Sequence, residues 1–131
     1  MSLHMHTSHF VAPDEAFLAE VRLAWNERRE QQRKALVLRR EQARDVATAM
    51  ARHLKSKYGA TRVVLFGTTV TGSFHGRSDI DIAAWGIRDD DWLNAYGDIA
   101  WFDKDFEGDL VLMERCRPHI AEEIVRTGMD L

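Results

Sequence analysis

Cysteine is nearly missing from this chain of 131 residues. Cys116 stands alone, which excludes an intramolecular disulfide and any zinc site built from several cysteines. Proline occurs only at Pro13 and Pro118, and no glycine falls between Asp14 and Lys57. Nothing in that stretch therefore interrupts a helix. There is no run of about 18 apolar residues and no signal-peptide pattern, so a membrane-spanning helix is excluded and the cytoplasm is the expected compartment. No internal repeat or low-complexity segment is present. The opening nine residues carry no periodicity and are set aside.

What is there suits a globular protein. The hydrophobic fraction is 45% and the charged fraction 30%. A chain of this length buries roughly two-thirds of its unfolded surface, so a single core suffices without a metal or disulfide staple. The net charge of -3 hides an asymmetry. Basic residues crowd the stretch from Arg22 to Arg44, and acidic ones the stretch from Asp79 to Asp109. The basic stretch lacks interleaved aromatics and carries Glu27, Glu30 and Glu41, so it reads as a solvated helix face and nucleic acid is not favoured as a partner.

The pattern of elements is mixed. Residues 14–57 read as helix, in two parts, either separate or continuous: about Asp14 to Arg29, with Pro13-Asp14 as the start signal, and about Ala35 to Lys57, stopped by Tyr58-Gly59. The polar run Asn26 to Lys34 lies between them. Phe17, Leu18, Val21 and Trp25 form one apolar stripe on the first part, which calls for packing on the domain or on a second copy of the chain. Strands are expected at Arg62 to Phe66, Ile80 to Trp85 and Asp109 to Met113. A helix is expected from Asp89 to Trp101, and another between Pro118 and Gly128. The order predicts an α/β (α+β) domain around a small mixed sheet. Residues 1–34 form a tail and helical arm, and 35–131 the domain.

The stretch Leu65 to Ala84 carries the chemistry. An apolar run ends in Gly67-Thr68, and Asp79-Ile80-Asp81 opens the next. Two carboxylates two apart on a strand share a face. At about 5–7 Å they repel by roughly 2–3 kcal/mol, a cost that a divalent cation reverses. Mg²⁺ suits such a pair, because it takes oxygen ligands from one or two carboxylates and from substrate phosphates. Asp109, opening the next apolar run, can reach the same place if its strand pairs beside the second. Asp103, Asp105 and Glu107 are rival candidates. Glycine permits close backbone approach to an anion, and a following hydroxyl adds a donor.

Gly67-Thr68, ten residues, Asp79-Ile80-Asp81 and a later Asp109-Leu110-Val111 together resemble the minimal nucleotidyltransferase family of the DNA polymerase β-like superfamily. The resemblance spans about residues 35 to 128. It implies a nucleotidyltransferase fold and an enzyme moving a nucleoside monophosphate, AMP from ATP, to a hydroxyl. Gly67 and Thr68, with Arg77 and Ser78, would hold the nucleotide. Asp79, Asp81 and Asp109 would bind two Mg²⁺ ions and do the catalytic work. The implied acceptor lies on a partner protein, a HEPN-type toxin, which makes the chain an antitoxin. Alternatives are an aminoglycoside-type small acceptor, a non-catalytic nucleotide- or partner-binding antitoxin, and a homo-oligomer formed through the arm. Thr68 replaces the usual serine, and Thr69 to Thr71 lack the arginine that often follows. His75 and Arg77 in the loop read as solvated side chains or nucleotide contacts. His4, His6 and His9 carry little weight. His53 and His119 read as ordinary helical residues, and Cys116 as a buried structural one. Trp85, Trp92 and Trp101 read as core.

Overall fold

The computed structural model describes residues 12–71 and 79–131. The chain divides into two compact units, Met1–Ala35 and Leu36–Leu131. Helix α1 is Glu15–Tyr58 and begins where Pro13-Asp14 suggests. The Asp14 carboxylate accepts the Phe17 backbone N–H at 2.8 Å, satisfying one of the donors that a helix start leaves open. The two helical parts are continuous through Asn26 to Lys34. That run consists largely of Glu, Arg, Gln and Lys, all good helix formers, and Glu30 pairs with Arg33 at 2.7 Å along it. In the first unit Phe17, Leu18 and Trp25 are exposed.

The second unit holds the sheet. Strand β1 is Arg62–Phe66, β2 Ile80–Trp85, β3 Gly108–Leu112 and β4 Met129–Asp130. Short helix α2 is Thr68–Thr71, α3 is Trp92–Ala100 and α4 is Pro118–Thr127. The strand order is β3-β2-β1-β4. β1 pairs antiparallel with β2 and β4, whereas β2 and β3 are parallel. A parallel pair needs a long crossover, and the segment containing α3 supplies it. The expected mixed sheet with flanking helices is therefore the fold.

Alternation along the strands builds two cores. Val63, Leu65, Ile80, Ile82, Ala84, Leu110 and Leu112 pack with Ala43, Ala47, Met50 and Leu54 of α1 and with Ala95 and Ile99 of α3. On the other face Val64, Ala83 and Met113 meet Ile124 of α4, with Phe66, Trp85, Val111 and Ala121 around them. Small alanines on α1 let the helix lie close to the sheet. Gly59, at φ +73°, ends α1 in the left-handed conformation expected after a helix, and the Ala60 N–H returns to the Leu54 carbonyl at 3.2 Å.

Three expectations need correction. Trp101 is 88% exposed and belongs to no core, because it caps the end of α3 rather than lying within its buried stripe. Cys116 is only half-buried at the edge of the second core. His53 is tied into a polar cluster. Its Nε2 lies 2.8 Å from Asp98 Oδ2, which also accepts from Tyr58 Oη at 2.7 Å and Lys57 Nζ at 3.0 Å. This hub fastens the end of α1 to α3. No helix among the described residues is long and apolar enough to cross a membrane.

Candidate active site

The parallel register sets the carboxylates. Asp81 of β2 stands directly beside Asp109 of β3. The period of two puts both on the α4 side of the sheet, the side of Ala83 and Val111. Asp79 is exposed, two residues before Asp81 on the approach to β2. Burial, and after it repulsion from Asp109 and Asp79, pushes the Asp81 carboxyl up to about 6. No described residue hydrogen-bonds to it.

Gly67 closes the site from β1. Phe66 is the register partner of Asp81, so the next residue turns beside the same carboxylate. Gly67 has φ +80°, and a Cβ there would run into the Asp81 carboxylate. Only glycine meets both requirements. The backbone then enters α2 at Thr68, with the Val70 N–H donating to the Gly67 carbonyl at 3.1 Å. Thr69 is fully buried, and Val70 packs against the first core. Arg77, Ser78 and His75 lie outside the described residues, as do His4, His6 and His9.

The donor set fits a hard divalent cation in part. Adjacent carboxylates that repel one another are the chemistry such an ion relieves. Among the described residues no group of three or more His, Cys, Asp or Glu is gathered closely enough to hold a metal unaided. Mg²⁺ tolerates that, because it keeps waters and takes substrate phosphates as further ligands.

Two cavities adjoin this arrangement. One, of about 870 Å³, is lined by Asp79, Tyr96, Trp101, Asp103, Asp105 and Glu107, among others. The rival acidic residues thus line a cavity that Asp79 also reaches, while Asp109 is the one in register with Asp81. The other, of about 610 Å³, lies between β1, β3 and α4 and is lined by Phe66, Gly67, Val111, His119 and Ile124, among others. Sequence reasoning missed a further residue, Arg40 of α1, which reaches the backbone of α2. Its only advance signal is position in a helix that precedes the first strand.

A fold of this topology, with a glycine turn after the first strand and aspartates on two parallel strands, defines a nucleotidyltransferase domain. The polymerase beta nucleotidyltransferase pattern matches residues 49–131, more than half of the chain, and the chain belongs to that family. A crystal structure of a toxin–antitoxin with AMP-PNP superimposes at a TM-score of 0.55 and 22% identity, covering 64% of this chain and 70% of that one. A mutant of the toxin–antitoxin MntA–HpeT superimposes at 0.53 and 18% identity, with the same shares covered. At these identities the likeness is one of fold. No curated protein sequence matches the chain.

Proposed function

We propose that this nucleotidyltransferase moves AMP from ATP to a hydroxyl on a partner protein, and that the partner is a helical HEPN-type toxin which the chain neutralises as its antitoxin. The observation that carries the catalytic half is the register of Asp81 with Asp109 beneath Gly67. Family membership supports it, and so does the likeness in fold to toxin–antitoxin structures, one of them solved with AMP-PNP.

In this reading Gly67 and Thr68 hold the triphosphate, and Arg77 and Ser78 serve as further nucleotide contacts. Asp79, Asp81 and Asp109 would hold two Mg²⁺ ions, which supply charge neutralisation at the entering and leaving oxygens when bound. The acceptor oxygen attacks the α-phosphorus, and the bond from that phosphorus to the bridging oxygen breaks. Pyrophosphate leaves, and the acceptor proton passes to a carboxylate, for which Asp109 stands at the strand edge.

The test is incubation of the chain with α-labelled ATP, Mg²⁺ and the product of the neighbouring gene, followed by mass analysis of both proteins. Transfer of one AMP to the partner is expected, and Asp79→Asn or Asp81→Asn abolishes it without unfolding the chain. Retained transfer in both variants would overturn the mechanism. A second reading is favoured by the cavity whose lining sets Asp79, Asp103, Asp105 and Glu107 against Arg39 and Lys104, with exposed Trp101 and Tyr96 on its wall. A cationic small acceptor such as an aminoglycoside suits that lining. Label on the aminoglycoside and none on the partner would decide for it.

A further inference from the structure

The structure assigns to Arg40 the role of a positioning residue that holds the nucleotide turn from behind. This assignment rests on the nucleotidyl-transfer reading. Arg40 Nε donates to the Thr69 carbonyl at 2.7 Å, and Nη2 donates to the Val70 carbonyl at 2.8 Å. These bonds join residues 29 and 30 apart in the chain, and the guanidinium is half-buried. A four-residue helix cannot satisfy its own last carbonyls, so the fork of a guanidinium fits them well.

The consequence reaches the site through a short backbone path. Thr69 and Val70 are anchored inward by their side chains and held at their carbonyls by Arg40. Val70 is bonded back to the Gly67 carbonyl, and Gly67 lies against the Asp81 carboxylate. Any slack at Thr69–Val70 is therefore passed to the spacing between Gly67 and Asp81. The three residues after Thr68 are Thr69, Val70 and Thr71 and carry no positive charge. Arg40 brings one to the turn from the opposite side. It lies ahead of the family-matched segment, which begins at residue 49, so the brace is supplied by the extended helix.

The experiment measures binding of a non-hydrolysable ATP analogue with Mg²⁺ to the full chain by calorimetry, alongside thermal melts and steady-state transfer. Arg40→Gln loses the charge and the fork, and is expected to weaken binding about tenfold, with KM raised and kcat changed less than about threefold. Arg40→Lys restores the charge but offers a single point of contact, and is expected to recover part of the affinity. A folded Gln variant with wild-type affinity overturns the assignment. If the Gln variant does not fold, the Lys variant decides: weakened binding supports positioning, and wild-type affinity overturns it. A wild-type chain that binds no analogue overturns the nucleotidyl-transfer reading itself, and the assignment falls with it.

Discussion

Replacing Asp81 by Asn should stabilise the metal-free protein at pH 8 and leave it unchanged near pH 4. The Asp81 carboxyl rises from an ordinary value of 3.8 to about 6, through burial and through the charges of Asp109 and Asp79. Below about pH 4 the group is protonated whether the chain is folded or not, so it costs nothing. Between about pH 4 and 6 the unfolded chain ionises it first, and stability falls as pH rises. Above about pH 6 the folded chain carries the full cost. A shift of about two units corresponds to an upper bound of roughly 3 kcal/mol. Because the side chain is partly open to water, about 1–2 kcal/mol is the working expectation. Asparagine keeps the shape and cannot ionise. For a domain of this size the gain corresponds to a melting temperature higher by about 5–10 °C at pH 8, measured in a chelator. Adding Mg²⁺ should raise the melting temperature of the wild type more than that of the variant, narrowing the gap. An Asn variant less stable at pH 8, or a difference of the same size at pH 4, would refute the reasoning. The same substitution removes activity in the proposed mechanism, so the site trades stability for function.

Further outcomes follow from particular residues. Asp98→Ala should lower stability by about 2 kcal/mol in urea denaturation at neutral pH, since three donors lose one carboxylate oxygen. His53, Tyr58 and Lys57 hold the Asp98 carboxyl well below the usual carboxylate range. The stability it contributes is thus present above about pH 4 and is lost as pH falls, so the variant and wild type should converge in strong acid. Gly67→Ala should cost about 2 kcal/mol or more and abolish nucleotide binding, because the new Cβ meets the Asp81 carboxylate at a strained φ; a fully stable, binding variant would show that the turn is looser than described. Thr69→Val should be neutral or stabilising by up to about 1 kcal/mol in thermal melts, because the buried Thr69 hydroxyl has no hydrogen-bond partner among the described residues.

Some of this was readable from local pattern. Ile80 to Trp85 is an apolar run interrupted only by Asp81 and ended by Gly86, and β2 falls on it. Asp81 lies within that strand, whereas Asp79 lies just before it. The last helix announces itself by Pro118 and Gly128. β4 does not, since two residues, Met129 and Asp130, carry no periodicity. The polar run within α1 carries no apolar spacing, and the helix is continued there by residues of good intrinsic propensity. Leu93 of α3 and Ile120 and Val125 of α4 are apolar yet remain exposed. Which apolar residues a short helix buries depends on what the sheet offers it.

From sequence alone came most of the elements, the glycine at the turn and the aspartate that β2 carries, because these depend on local geometry and on periods of a few residues. The parallel pairing that stands Asp109 beside Asp81, the His53–Asp98 hub and the Arg40 brace were decided only by tertiary structure. Each joins residues well separated in the chain, from 28 apart at the strand pair to 45 at the hub. Such contacts depend on how strands and helices pack around the two cores, and nothing in the local order of residues encodes that choice.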